Sequence, residues 1–452
     1  MRTSLLRITA LLALSAGVAG AAEGVAHAAE ASVTVAASFE TEALFDDEAG
    51  GDANADDPAI WLHPTNPRKS LIFGTKKSGG LGVYGLSGAT LQSIAAPPAP
   101  GEDDSAGRFN NVDVVYGFQL GSKRVDLAVV TDRGRDQIRF YAIDPSGATP
   151  LTDVTAASVP FVFSTSQAEV NEQATAYGLA TRGARGRKPA LVFASQRHGL
   201  AVAKLALFAT PQGRVSYVRV GTVRVPSQFK LRPGLEWTPC SESDDELPQV
   251  EGMVIDTERD VLYMAQEDVG IWSVAVDAPN ARPQLVDRVR EFGVPYDRVY
   301  DADEEEYVCT LHPERDPGYG GKHLSADAEG LTIYYGRGGQ GYLLASSQGD
   351  SKFIVYERSG RNRYVGSFEV GATSSIDGAQ HSDGAAVLST PLGPDFPFGL
   401  FVTQDGENDP VELDAEGEPR EGTNFKLVPW EDIASAFSCP LAIDTQSYDP
   451  RR

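Results

Sequence analysis

The sequence predicts an all-β protein, a six-bladed β-propeller of mostly four-stranded antiparallel blades around a central channel. Three observations predict it. First, a short strand that opens on a polar residue and continues as an apolar run recurs six times: Asp57-Pro58-Ala59-Ile60-Trp61, Asp113-Val114-Val115-Tyr116, Tyr177-Gly178-Leu179-Ala180, Glu251-Gly252-Met253-Val254, Glu329-Gly330-Leu331-Thr332 and Asp383-Gly384-Ala385-Ala386. Second, each is followed by another apolar strand with a polar residue at its far end: Leu71–Phe73 to Lys76, Leu127–Val130 to Arg133, Leu191–Phe193 to Arg197, Val261–Met264 to Glu267, Tyr342–Leu344 to Gln348, and Leu400–Val402 to Gln404. Third, helical periodicity is nearly absent, while Gly 46 and Pro 28 supply the turns that many short strands need.

Taken in order, each unit has a third strand: Leu81–Tyr84, Ile138–Tyr141, Leu205–Phe208, Ile271–Val274, Phe353–Tyr356 and Phe425–Val428. A less regular fourth, outer strand is expected at Thr90–Ile94, Ser216–Val223, Pro283–Val289 and Tyr364–Phe368. Second strands begin near residues 71, 127, 191, 261, 342 and 400. That spacing exceeds a minimal blade of about 40–45 residues, so the loops carry insertions. Ser32–Val35 alternates polar and apolar, and we expect it to add a strand to the last blade and close the ring. Trp430–Phe437 is the best short helix. Residues 32–442 read as one catalytic propeller domain and 443–452 as a C-terminal tail. The acidic tracts Phe45–Asn54, Glu242–Glu246 and Asp301–Glu306 read as solvated loops.

Composition narrows the class. Of 452 residues, 41% are hydrophobic, enough for a packed core, and the formal net charge is -24. Such a chain repels nucleic acid and anionic membranes and collects cations. Arg2 and Arg7 precede an apolar run from Ile8 to about Gly20, with small-residue cleavage sites at Ala19–Ala21 and Ala26–Ala28. Residues 1–28 therefore read as a signal peptide, removed from a secreted protein; the run is too short for a ~20-residue span. Three cysteines then predict one disulfide and one free thiol. Cys240 and Cys309 lie in acidic insertions of neighbouring repeats, which favours that pair over Cys439.

In a propeller, equivalent positions of every blade meet around the axis. The repeat therefore places Asp56, Asp57, Glu251, Glu267, Asp327, Glu329, Asp377, Asp383, Asp405, Glu407 and Asn408 toward one axial end. So many like charges repel unless cations sit among them or several are protonated. Oxygen ligands without a His or Cys cluster favour calcium over zinc. Lys76, Lys77, Arg133 and Arg197 hold the matching positions of blades one to three, with Tyr177 between them, and suit an anion. Carboxylate-bound calcium facing Lys and Arg suits hydrolysis of a phosphate ester by a metal-activated water, with no nucleophile triad. Arg197-His198-Gly199 begins like the histidine acid phosphatase motif, but continues Leu200-Ala201-Val202 and lacks that motif's second arginine and proline.

The chain resembles the β-propeller phytases, exported calcium-dependent enzymes. The resemblance rests on Asp56–Pro64, Asn110–Asp113, Glu251–Met253, Gln266–Asp268, Ala326–Tyr335, Ala345–Gly349, Ile376–Gly378 and Gln404–Asn408, in fixed order between residues 38 and 437. It implies removal of phosphates from myo-inositol hexakisphosphate (phytate); the negative charge of the chain predicts that phytate arrives as its calcium complex, and a monomer is expected. It implies several calcium ions, structural and catalytic. One structural ion would use Asp377, Gly378, Asp405, Glu407 and Asn408. A second would use Asp57 with backbone oxygens of Pro58 and Val112. Catalytic ions would sit among Asp56, Glu251, Glu267, Asp327, Glu329 and Glu40, and Lys76, Lys77, Arg133, Tyr177 and Asp383 match phosphate-side positions.

The chain also departs from the family pattern. Arg197 stands where a lysine is expected, the stretch Ser374–Ser382 differs around Asp377, and the link from Glu42 to Asp56 is long. The insertions Trp237–Leu247 and Phe292–Gly321 exceed the usual length and are expected to form a rim over the site. Two rivals predict different outcomes. A calcium-dependent binding propeller would capture phosphorylated or acidic sugars without turnover. A six-bladed lactonase or esterase would need one buried metal and an apolar pocket, and leaves the convergent cations without a role.

Overall fold

A computed structural model describes residues 32–147, 149–278, 281–302 and 306–451. The expected signal peptide lies outside the described residues. Six small antiparallel sheets follow one another along the chain. Their innermost strands are Pro58–Trp61, Phe109–Leu120, Ala176–Arg182, Val250–Asp256, Ala328–Tyr335 and Ala385–Leu388. Blades one to five each have four strands of their own in sequence order, and the sixth has three. The outer strand of blade two, Leu151–Asp153, was not foreseen because it is only three residues long.

Strand positions follow from residue type. Runs such as Leu71–Thr75 and Leu191–Gln196 are buried along almost their whole length, as middle strands covered on both faces must be. Their apolar side chains pack between adjacent blades: Phe193, Met264, Ile271 and Leu343, from three successive blades, share one buried cluster. Two polar groups buried in these layers show how such groups find partners there. The Trp61 indole N–H donates to Asp126 Oδ2 at 2.7 Å, and Arg358, with no exposed side-chain surface, is held by Asp256.

The ring closes differently from expectation. Val33–Ala36 pairs in parallel with Tyr364–Gly371, the outer strand of blade five, rather than with the last blade. The following residues do the closing: Phe39–Glu40 and Leu44–Phe45 both pair with Gly422–Pro429 in blade six. The reason lies at the edges of the two sheets. Blade five leaves its outer edge open after four strands, whereas blade six, with only three, lacks an outer strand until the N-terminal segment supplies one.

Trp430–Ala436 forms the expected helix and buries Trp430, Ile433 and Ala434. The C-terminal tail packs against the far ends of the inner strands. Tyr448 stacks on Tyr335 with ring centroids 3.8 Å apart. Arg451 reaches Asp126 Oδ2 at 2.6 Å and the Leu62 carbonyl oxygen, beside the Trp61 and Tyr116 rings. A channel cavity of about 660 Å³ is lined by inner strands of all six blades and, at this end, by Tyr448, Pro450 and Arg451.

Candidate active site

Strand register defines the mouth at the opposite end. In blades two to five, a bulge near the start of the inner strand sets two residues against one of the next strand: Asn110-Asn111, Tyr177-Gly178, Glu251-Gly252 and Glu329-Gly330. The first residue of each pair is therefore equivalent from blade to blade. Glycine follows in three cases because the next blade's backbone crosses there: a Cβ on Gly178 would lie 1.9 Å from the Glu251 carbonyl oxygen, and one on Gly252 would lie 2.2 Å from that of Glu329. Gly384 packs likewise against Asp57, which brings Asp383 and Asp56 into the same ring.

The ring corrects one sequence assignment. Asp113 does not open its strand, which begins at Phe109. Its Oδ2 instead accepts from the Thr181 amide at 2.7 Å and hydroxyl at 2.9 Å, joining blades two and three. Asn110 takes the ring position and donates to Glu251 Oε1 at 2.6 Å. It also accepts from Arg133 at 3.4 Å, so one amide links the carboxylates to the cations. Sequence reasoning did not give Asn110 a role; the register irregularity that positions it is invisible in an apolar run.

Glu251, Glu267 and Glu329 come together, each offering a carboxylate oxygen within 4.8 Å of the others. Glu251 and Glu329 are buried and Glu267 is half-buried. Glu267 Oε1 and Glu329 Oε2 are buried without a hydrogen-bond partner. Asp56, buried in the same ring, lies near Lys77, Glu251 and Asp383. Burial first, and then mutual repulsion, hold Glu267 and Glu329 well above the ordinary carboxylate range. Burial and the nearby Asp327 push Asp268 up to about 7. Gln249 donates to Glu267 Oε2 at 3.1 Å, leaving Oε1 directed elsewhere. Orphaned oxygens and an all-oxygen donor set fit a hard divalent cation.

The cations face this group. Lys77 Nζ lies 3.7 Å from Asp383 Oδ2, and Arg133 sits 5.7 Å above the Tyr177 ring. Burial works against the Lys77 charge, but Asp383, Asp56 and Glu251 outweigh it and raise its pKa. Asp383 is oriented by Gln348 and, through its amide, by Gln404. Lys76 turns to the outer strand instead and donates to Ser93 Oγ at 2.7 Å. Arg197 lines a second cavity of about 440 Å³ together with Glu267, Asp268 and Asp327.

Both insertions wall that cavity. Hairpin strands Tyr296–Asp301 and Glu306–Leu311 are joined to the loop after Trp237 by the Cys240–Cys309 disulfide. His198, from the abandoned histidine motif, turns its Nε2 to Glu246 at 3.0 Å in this wall. Cys439 is free and exposed.

The other acidic groups separate into two places. Asp57, Pro58 and Val112 meet at the channel, where Asp57 Oδ2 accepts from the Val112 amide at 3.0 Å. Asp377, Asp405 and Asn408 gather in blade six around Lys426, which sequence reasoning missed because it lies inside the apolar strand Phe425–Val428. Its buried Nζ contacts Asp377 and lies 3.2 Å from Asp405 Oδ2 and 3.3 Å from Asn408 Oδ1. Glu40 lies here rather than with Glu251, Glu267 and Glu329: its Oε2 accepts from Lys426 at 2.7 Å. Gly378 packs beside Val370, and Glu407 points outward to His381 at 3.4 Å.

Comparison with known proteins adds identity to geometry. The Phytase family profile matches residues 2–228 and 294–452. A 3-phytase of Bacillus subtilis (strain 168) is 35% identical over 392 residues, which cover 86% of this chain and 82% of that protein. Two solved structures resemble it distantly. Regucalcin, a calcium-binding protein from Agrobacterium tumefaciens, aligns with a TM-score of 0.41 and 8% identity over 86% of this chain and 96% of that one. The Malassezia sympodialis allergen Mala s 1 aligns with a TM-score of 0.39 and 12% identity over 83% and 93%.

Proposed function

Since the chain belongs to the phytase family, we propose that the mouth described above is where this phosphoric monoester hydrolase takes phosphate from phytate, with calcium as its metal. The observation that carries the reading is the division of one ring. Glu267 and Glu329 present unsatisfied oxygens beside Glu251, and Lys77, Arg133 and Tyr177 line the same mouth. Glu251, Glu267, Glu329, Asp56 and Asp327 would hold the catalytic ions. Asp377, Asp405 and Asn408, with Gly378 and Glu407, and separately Asp57, Pro58 and Val112, are the proposed structural sites. Calcium is favoured because every available donor is an oxygen.

Bound calcium would supply Lewis acidity toward phosphoryl oxygens and a more acidic water. The protein's part can be followed in its own groups. Lys77 and Arg133 receive the phosphate, Arg133 by its planar fork and Lys77 as a point charge. Tyr177, whose hydroxyl stays protonated because burial and Glu251 raise its pKa, donates a hydrogen bond. The free oxygen of Glu329 accepts a hydrogen bond from the attacking water and aligns it with the leaving oxygen. Asn110 holds Glu251 and Arg133 in register, so the two halves keep one spacing.

Three further points belong to the same proposal. Phytate arrives as its calcium complex, because a chain of net charge -24 repels the free polyanion. The protein acts as a monomer. It is secreted, a reading supported by the N-terminal segment and by a disulfide of the kind that persists in oxidising compartments. Phosphate release from phytate, assayed with and without chelator, tests the whole. Release that continues unchanged in excess chelator rejects the metal; binding without release points to a capture protein.

A further inference from the structure

Arg108 immediately precedes the inner strand of blade two, and its side chain is only 14% exposed. It lies close enough to Arg133, Arg197, Tyr177 and Glu251 for their charges to act on it. Its Nε and that of Arg133 are both buried without a hydrogen-bond partner. Arginines crowded into one partly desolvated place repel one another and call for an anion. Burial first, and Arg133 next, depress the Arg108 pKa to about 9.

One anion is already there, and it is part of the chain. The Asp52 carboxylate pairs with Arg108. Asp52 belongs to the loop between Phe45 and Asp56, with its side chain 48% exposed. Its carbonyl oxygen accepts from the Ser78 amide at 2.9 Å, which ties the loop to the turn carrying Lys76 and Lys77. A half-exposed, singly charged acid is a weaker partner for a guanidinium than a phosphate, which offers more oxygens and more charge.

We propose that Arg108 is a further phosphate-binding residue of this mouth, and that Asp52 is an internal competitor which holds Arg108 in place and yields it to a substrate phosphate. The exchange replaces one ion pair by another and breaks no covalent bond. The inference rests on the phytase reading of the site. It assigns Arg108 to a phosphate beside the one that Arg133 and Lys77 receive, so the residue acts in binding and not in bond cleavage.

Steady-state hydrolysis of phytate, with inorganic phosphate as competitive inhibitor, tests it. Asp52→Asn removes the competitor, so KM for phytate and the inhibition constant for phosphate should fall roughly three- to tenfold. Arg108→Gln should raise both roughly ten- to a hundredfold. Arg108→Lys should recover part of that loss, because charge is retained without the fork. The effects should appear in KM rather than kcat. Unmoved constants in Asp52→Asn, or an Arg108→Gln protein with a lower melting temperature and an unchanged KM, overturn the proposal. If Arg108→Gln does not fold, Asp52→Asn alone decides. A native protein that releases no phosphate from phytate rejects the reading of the site itself, whereas an active native protein with insensitive variants rejects only the role of Arg108 and Asp52.

Discussion

Two acidic clusters sit in the same protein and solve the same electrostatic problem in different ways. In blade six, Glu40, Asp377 and Asp405 surround the buried ammonium of Lys426. At the mouth, Glu251, Glu267 and Glu329 close on one another, the nearby Lys77 ammonium is shared with Asp383 and Asp56, and two of the glutamates' buried oxygens have no partner. The first cluster carries its own counter-charge. The second must take protons or a cation from outside, and that dependence on an exchangeable partner is what makes it chemically useful. A cation entering the blade-six cluster has to compete with Lys426 for its ligands, whereas one entering the mouth finds oxygens of Glu267 and Glu329 that no side chain holds.

The sharpest way to break this contrast is at the mouth. Replacing Glu329 or Glu251 with Gln should lower kcat for phytate on the order of 10²- to 10⁴-fold. The melting temperature in chelator should hold or rise, since a neutral amide relieves repulsion among buried carboxylates. A variant with near-normal turnover would remove the catalytic role from that residue. Next in size is Lys426→Met. Leaving buried carboxylates unpaired should cost about 3–5 kcal/mol of stability in chelator, and added calcium should restore part of it. Equal melting of variant and native protein would show that Lys426 is not the counter-charge.

Removing calcium comes third. A ligand present at a hundredfold excess over its Kd stabilises by about 2.7 kcal/mol. Chelation should therefore lower the melting temperature by a few degrees, and an unchanged transition would eliminate any tightly held structural ion. The pH response gives a related test. Mouth carboxylates have pKa values raised by burial, so their protonated forms are favoured in the folded state, and their contribution is lost as pH rises through the folded values. With Asp268 at the mouth at about 7, and Asp405 of the blade-six cluster likewise raised by burial to about 6, chelated protein should melt lower at pH 8 than at pH 5. Calcium should flatten or reverse the slope, and activity should climb over the same interval as protons cease to compete. Chelated protein that grows more stable toward pH 8 would contradict the burial argument. The smallest effect is expected at the rim: Cys240→Ser with Cys309→Ser should change KM for phytate by less than roughly threefold, because the tethered wall limits access without touching the ring. A large loss of kcat would place the insertions in the chemistry.

The sequence made the architecture readable because each blade repeats a polar opening followed by an apolar run, and turns are marked by Gly and Pro. Glu251, Glu267 and Glu329 were legible for the same reason, since radial repetition converts equal positions along the chain into neighbours in space. Asn110 was not legible, because one extra residue in a strand shifts the ring by a distance that no periodicity records. Lys426 was hidden differently. Between Phe425 and Leu427 it reads as the polar alternate of a strand, and only its contacts with Asp377 and Asp405 show that its side chain is enclosed. Arg108 and the tail's Arg451 depend on contacts between distant parts of the chain, 56 residues back to Asp52 in one case and 325 to Asp126 in the other, which local pattern does not report.

Residues Phe39–Glu40 and Leu44–Phe45 wait for Gly422–Pro429, among the last strands to be made. Until that strand is in place, the segment from Phe39 to Phe45 has no mate in blade six, and the ring of blades is an open arc. Ring closure should be slow because its pairing joins Glu40 to Lys426, 386 residues apart. Moving the termini to a surface turn by circular permutation, with the old ends linked, should quicken refolding if that meeting sets the pace.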